Sequence, residues 1–288
     1  MKNNIEIFNL HISNNTEIHS TAIIDQTADI SEGVSIGAYV IVGKNVKIGK
    51  NTIILAHAII NDYSTIGEDN KIHYGAIIGS ESQDLKSINE RSYTIIGNRN
   101  IIREYVTINR ASNAEEKTII GDDNLLMAYV HIAHDCVIGN KNIFSNSVNL
   151  GGHCLFGDEN VIGGLSGIHQ FVRVGNHSMI GGLTRVTQDI PSYFTIVGNP
   201  AKVEGVNIKG LRRNDFTREQ INNLREAYNI IYSSNLPLSE SLKKLYELDE
   251  TDEINHLINF LTEKSKRGII GLNFRNLKEY NVSSKLDC

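Results

Sequence analysis

Four histidines, His131, His134, His153 and His169, crowd one stretch of a 288-residue chain, and an acid stands beside one of them in the run His131-Ile132-Ala133-His134-Asp135. Two chemistries use such a group. Zinc takes three or four ligands converging on one point, with carboxylates behind them. Acyl transfer instead asks one neutral imidazole to remove a proton from an attacking hydroxyl or amine. The acid next to His134 favours the second, because a carboxylate can hold an imidazole in one tautomer and stabilise the imidazolium that forms. The pair Gly151-Gly152 leaves a backbone N–H open to a developing oxyanion, a contribution of roughly 3–4 kcal/mol when such a donor is well aimed. Direct transfer from a thioester then needs only base, oxyanion donor and positioning, with no serine or cysteine nucleophile. His11, His19, His57, His73, His177 and His256 are scattered and read as core or surface polar residues.

The histidines cooperate only if the fold brings them together, and the hydrophobic pattern says how. Every sixth residue from Ile12 to Ile78 is aliphatic, and the count resumes in register from Ile96 to Val186. Of the thirty positions so marked, only Asp84, Glu90 and Ala114 lack a large apolar side chain. Helices repeat near 3.6 residues and half-buried strands near two, so a period of six belongs to neither. It predicts an all-β, left-handed parallel β-helix, a triangular prism of hexapeptides with about eighteen residues per coil. Ile18, Ile36, Ile54 and Ile72 then stack as one ladder, and Ile24, Val42, Ile60 and Ile78 as another. The same spacing puts His134 one coil below Gly152 and His153, and two coils below His169 and Gln170. Glycines that follow marked residues, such as Gly37, Gly49 and Gly139, are expected to relieve crowding at the corners.

The register breaks at about residues 80–94 and 109–118, both polar, and each break reads as a loop ejected from a continuous prism. Residues 1–190 are assigned to the prism, 191–210 to a connecting segment and 211–288 to a C-terminal α-helical domain. There a Thr217/Gln220 capping box starts a helix carrying Ile221, Leu224, Tyr228 and Ile231 on one face. Ser239, Leu242 and Leu245 suggest a second helix, and Ile254 to Leu261 a third ending at Gly268. The last twenty residues read as loosely ordered. A net charge of −5 gives no reason to expect nucleic acid. The N-terminus is too polar for a signal peptide and no stretch is apolar enough to span a membrane, so the cytoplasm is the expected compartment. Cys136, Cys154 and Cys288 form no CxxC pair and read as reduced thiols. Flat apolar sides of a prism are buried by cyclic packing of copies, and a homotrimer is expected.

The segments SQDLK at 82–86, NLLMAYVHIAHDCVIGN at 124–140, NLGGH at 149–153, GGLSGIHQFVRVG at 163–175, GLRR at 210–213 and SKRGI at 265–269 resemble the UDP-N-acetylglucosamine acyltransferases that open lipid A biosynthesis. The resemblance runs from about Ile12 to Ile269. It implies transfer of a 3-hydroxyacyl chain from acyl carrier protein to the glucosamine 3-hydroxyl of UDP-GlcNAc, without cofactor or metal. On the family's pattern His134 matches the general base, Asp135 its orienting acid and the Gly152 amide the oxyanion donor. His131, His153, His169 and Gln170 match positions holding sugar and acyl groups, and Asp84 and Lys86 match residues around the GlcNAc ring. Asn207 and Arg213 fall where the family contacts the nucleotide, and Gly182 where it stops the acyl chain. Pro200, Lys209 and Asn214 depart from the family's pattern.

Three other readings use the same residues. An N-acyltransferase acting on a 3-amino UDP-sugar needs the same base. A zinc enzyme of the carbonic anhydrase type would use the same prism, although its histidine pair stands five residues apart and His131 and His134 stand three apart. An inert scaffold would leave the histidines idle.

Overall fold

The computed structural model describes residues 11–12, 15–87, 90–248 and 250–272. Short strands, most of two residues, pair in parallel into three sheets, and successive strands visit the three sheets in turn. This is the left-handed prism with a helical C-terminal part. The ladders run as the sixfold count requires: Ile18 pairs with Ile36 and Ile36 with Ile54, while Ile24 pairs with Val42 and Val42 with Ile60. From Ile30 upward the marked residues with large apolar side chains are almost fully buried, and each such isoleucine contributes about 1.5–3 kcal/mol by leaving water.

Both register breaks are loops outside the wall. Ile66 pairs with Ile96, 30 residues on instead of 18, and Ile96 pairs with Ile120, 24 residues on. The first loop therefore carries twelve extra residues and the second six. Pairing stays continuous beneath them, because a parallel ladder needs only that the chain return in phase.

The glycines that follow marked residues relieve crowding at the corners as expected, although most of them are not the residues that turn the chain. The turns between faces do use the left-handed region, and apart from Gly33 and Gly75 it falls on residues other than glycine: Tyr129, Asp135, Lys141 and His153 have φ between 54° and 63°. Glycines such as Gly49 and Gly139 stand two positions earlier, and their role is coil contact. A Cβ on Gly49 would lie 2.5 Å from the Gly67 backbone, and one on Gly139 2.7 Å from the Gly157 carbonyl oxygen. The prism also contains an internal polar spine. Asn100, Asn124, Asn142 and Asn160 stack on successive coils, each side-chain oxygen accepting the amide of the next coil, with Asn124 Oδ1 to Asn142 N at 2.8 Å. Their Nδ2 groups reach coil carbonyls such as Gly139 O at 2.9 Å, so the buried turn leaves these groups paired.

Above the prism, strand Phe194–Val197 pairs antiparallel with Lys202–Val206, and the chain enters helix α1, Ile208–Arg213. Helix α2, Arg218–Tyr228, starts on the expected capping box and buries Ile221 and Leu224, and the chain continues in a π-turn over Asn229–Ser233. Helices α3, Leu238–Tyr246, and α4, Asp252–Thr262, follow. Helix α4 stops before Gly268 because Glu263 is already extended, with its carboxylate 2.6 Å from Arg173 Nη1. Arg173 also holds Asp189 at 2.8 Å, and Ile269 bridges to Asp189. Ile269 and Ile270 are buried, so these first two of the last twenty residues are packed against the prism; residues 273–288, with Cys288, lie outside the described residues.

Candidate active site

The turn after strand His131–Ile132 carries His134 and Asp135, and the next two coils place Gly152 and His153, then Gln170 and Phe171, directly above. Asp135, His153 and Phe171 each occupy the left-handed position of their turn. Such a turn throws the side chain outward at a fixed angle, so three stacked coils present a column of functional groups. The Asp135 amide donates to Thr118 Oγ1 at 2.8 Å, which pins the start of that column.

His134 and Asp135 are both buried, with His134 Nδ1 2.7 Å from Asp135 Oδ2. Burial raises the affinity of the Asp135 carboxyl for its proton, but hydrogen bonds from the Ser112 hydroxyl, from His134 and from the Ser112 amide outweigh it, helped by the nearby His153, and hold the group below the ordinary carboxylate range. An ionised Asp135 keeps the imidazole proton on Nδ1, which leaves Nε2 as an acceptor. The ring packs against Gly152: a Cβ there would fall 2.3 Å from Cε1 and 2.6 Å from Nε2. Glycine is required at this position by that approach.

The Gly152 amide makes no hydrogen bond to the described residues, whereas Asn98, Asp122, Asn140 and Asp158, at the matching place of another corner, each have their amide capped by the next coil. A free N–H on the residue against which the imidazole rests is a donor that a developing oxyanion could use.

His131 is half-buried, with Nδ1 2.8 Å from Thr107 Oγ1 on the coil below. Burial, and then the neighbouring His134, lower its pKa, so it stands neutral at pH 7. The His153 ring is stacked on Phe171 at 4.6 Å, edge-on to His134 at 5.3 Å, with Nε2 3.5 Å from Asp135. Lys266 from the segment after α4 lies 4.4 Å above the Phe171 ring. His169 is half-buried and Gln170 exposed, and a Cβ on Gly151 would fall 2.7 Å from the Gln170 amide nitrogen. Ligand atoms of His134, Asp135 and His153 fall within 4.8 Å of one another, a spacing that metals use, but Asp135 Oδ2 is already taken by His134 and Ser112.

The other sequence-predicted residues stand apart from this column. Asp84 and Lys86 lie on the first loop, where Asp84 Oδ1 accepts the Lys86 amide at 3.0 Å. Gly182 is exposed on the turn between the second and third faces, a different corner of the prism from His134. Asn207 caps α1, accepting from Gly210 N at 3.1 Å and donating to His177 O at 2.8 Å, and Arg213 is exposed in the last turn of α1. Of the departing residues, Pro200 follows a cis peptide bond, Lys209 sits in α1, and Asn214 ends α1 with its side chain 3.2 Å from His177 Nδ1.

Sequence reading missed Ser112, Thr107 and Phe171. Thr107 shares the His131 column and Phe171 the His153 column, so the eighteen-residue count contained both once the loops were subtracted. Ser112 belongs to an ejected loop, where the count has no meaning.

Fold and site define a left-handed β-helix transferase of the hexapeptide class. The bacterial transferase hexapeptide pattern matches residues 117–152, the pattern described as the C-terminal domain of GMPPB matches 12–122, and that described as UDP N-acetylglucosamine O-acyltransferase, domain 2, matches 189–270. The acyl-[acyl-carrier-protein]–UDP-N-acetylglucosamine O-acyltransferase of Rippkaea orientalis is 54% identical over 260 residues, covering 89% of this chain and 94% of the relative. That of Thermodesulfovibrio yellowstonii is 48% identical over 255 residues, covering 88% and 98%. Among solved structures, UDP-N-acetylglucosamine O-acyltransferase from Moraxella catarrhalis superposes with a TM-score of 0.84 at 43% identity, over 88% of this chain and 99% of that one. The Arabidopsis UDP-N-acetylglucosamine acyltransferase gives 0.83 at 33% identity, over 90% and 99%. The chain belongs to the acyl-[acyl-carrier-protein]–UDP-N-acetylglucosamine O-acyltransferase family.

Proposed function

We propose that this protein transfers a 3-hydroxyacyl chain from acyl carrier protein to the glucosamine 3-hydroxyl of UDP-GlcNAc, the first step of lipid A biosynthesis. The observation that carries the reading is the buried His134–Asp135 pair, its imidazole resting against Gly152, in a chain 54% identical to an enzyme of that name. In this reading His134 Nε2 takes the proton of the 3-hydroxyl as its oxygen attacks the thioester carbon. The Gly152 N–H stabilises the oxyanion, the C–S bond breaks as the ester forms, and the imidazolium returns the proton to the departing thiol. Cys136 and Cys154 are wholly buried and face the prism interior, so neither is offered as an acyl carrier. The N-acyl, zinc and scaffold alternatives are not favoured, since the relatives are named O-acyltransferases.

His131, His153, His169 and Gln170 are assigned to sugar and acyl groups beside the base, and Asp84 and Lys86 to the GlcNAc ring. Asn207 and Arg213 would meet the nucleotide and Gly182 the acyl terminus. These last three lie away from the His134 column of their own chain, which supports a site completed by a neighbouring copy. A homotrimer is further supported by the ridge between the second and third faces, where Tyr39, Tyr105, Tyr129, Leu165 and Leu183 are 55–70% exposed. Arg212, Arg218 and Arg225 line a hollow of about 350 Å³ with Phe216, chemistry suited to an acidic carrier protein. No described helix is long and apolar enough to cross a membrane, and a carrier-bound acyl donor with a nucleotide-sugar acceptor fits a cytoplasmic reaction.

Incubation with 3-hydroxyacyl carrier proteins and either UDP-GlcNAc or its 3-amino analogue tests the proposal. Mass spectrometry should find an ester of UDP-GlcNAc. Product from the amine alone would replace this reading with the N-acyl one, and no product from either would remove both.

A further inference from the structure

Asp135 stands between two imidazoles. Its Oδ2 is 2.7 Å from His134 Nδ1 and 3.5 Å from His153 Nε2, and the two rings meet edge to face. His153 is held in place by its stack on Phe171, so it is a standing competitor for the carboxylate. The backbone of Asp135 is fixed by Thr118, but this leaves the carboxylate free to turn about its side-chain bonds. The groups that settle its direction come from outside the prism. Ser112, on the second ejected loop and 6% exposed, gives its hydroxyl to Oδ2 and its amide to Oδ1 at 3.1 Å.

That loop is itself tied down. The Ser112 carbonyl accepts from Ser87 Oγ of the first loop at 3.0 Å. Three residues on, Glu115 takes Arg91 Nε at 2.9 Å and the Tyr93 hydroxyl at 2.8 Å. Asp84 O accepts the Ser87 amide at 2.9 Å, so the loop assigned to the acceptor sugar and the loop that grips Asp135 are one hydrogen-bonded unit.

We infer that Ser112 is a positioning residue for the general base: it locks the Asp135 carboxylate onto His134 rather than His153, and it links that lock to the acceptor-side loop. The inference rests on His134 being the base of the proposed reaction. Ser112 touches neither reacting atom; it acts through Asp135, as an outer hydrogen-bond partner orients a functional group.

The test uses the full-length protein with ¹⁵N-labelled histidine, the His134 signals being assigned by their loss in His134→Gln. In the parent protein His134 should be the Nδ1–H tautomer. In Ser112→Ala that tautomer should give way to a mixture, while kcat falls roughly tenfold, the size of one lost hydrogen bond to a charged group. KM for UDP-GlcNAc should stay within about twofold, and Ser112→Thr, which keeps the hydroxyl, should restore both readouts. Ser112→Cys, close in volume and a far weaker donor, repeats the test if alanine collapses the loop. The inference is overturned if His134 stays Nδ1–H without the hydroxyl, or if the tautomer changes and kcat does not. A parent protein without acyltransferase activity would defeat the proposed function, while the tautomer would still report on the lock.

Discussion

Adding one methyl group at Gly152 should disable the enzyme while leaving the fold intact. The new Cβ would fall 2.3 Å from His134 Cε1, 2.6 Å from Nε2 and 2.9 Å from Nδ1. Carbon atoms rest at about 3.5 Å or more, so the ring must retreat by roughly 1 Å. Such a retreat breaks the 2.7 Å contact with Asp135 or swings Nε2 off the acceptor hydroxyl. A misplacement of about 1 Å costs on the order of a hundredfold in rate, or about 2.7 kcal/mol of barrier. Gly152 has no left-handed φ, so alanine there strains no backbone. Gly167→Ala is the control, in the strand that pairs with Asn149–Leu150 just before the Gly152 turn, because a Cβ there meets nothing within 4 Å. Steady-state assays with 3-hydroxyacyl carrier protein and UDP-GlcNAc should show kcat down about a hundredfold for Gly152→Ala and unchanged for Gly167→Ala, with both melting like the parent. Retention of kcat within threefold by Gly152→Ala would refute the claim that His134 works pressed against this turn.

The internal asparagine spine predicts that Asn124→Leu strips the Asn142 amide of its acceptor in a buried turn, lowering stability by about 1–3 kcal/mol; a urea midpoint at fixed protein concentration that does not move would contradict this. His73, His131, His177 and His256 are all held below the ordinary histidine pKa of 6.5, in each case chiefly by burial. Between 6.5 and their folded values the unfolded chain binds more protons, so stability is full above pH 6.5 and falls as the pH drops below it. Carboxylates such as Asp135, depressed below 3.8, do not yet titrate there. Thermal melts should shift downward from pH 7.5 to 5.5, and a flat profile would show that these histidines are not desolvated.

The prism was legible because its signal is periodic and long: a marked residue every six fixes which side chains point inward and which coils touch. The same count put His134 beneath Gly152, as the structure has it. It failed where the chemistry is local. Glycine after the marked residue relieves crowding at the corner as expected, yet the turn conformation itself falls on residues such as Asp135 and His153, which the count did not single out for it. The asparagine spine went unread, since Asn100 and Asn124 are 24 residues apart across a loop and look like ordinary polar turn residues until stacked. Ser112 was hidden for a related reason, because an ejected loop has no register. Gly182, Asn207 and Arg213 were found only through resemblance, and on a single chain no spacing connects them to His134.

Single-turnover product formation by His134→Ala shows whether His134 is the base for acylation of the sugar 3-hydroxyl. With saturating 3-hydroxyacyl carrier protein and UDP-GlcNAc, the parent should form the 3-O-acyl ester, and the variant should form it more than about a hundredfold more slowly at unchanged substrate affinity. Ester formation by His134→Ala at a rate within about tenfold of the parent would contradict the account.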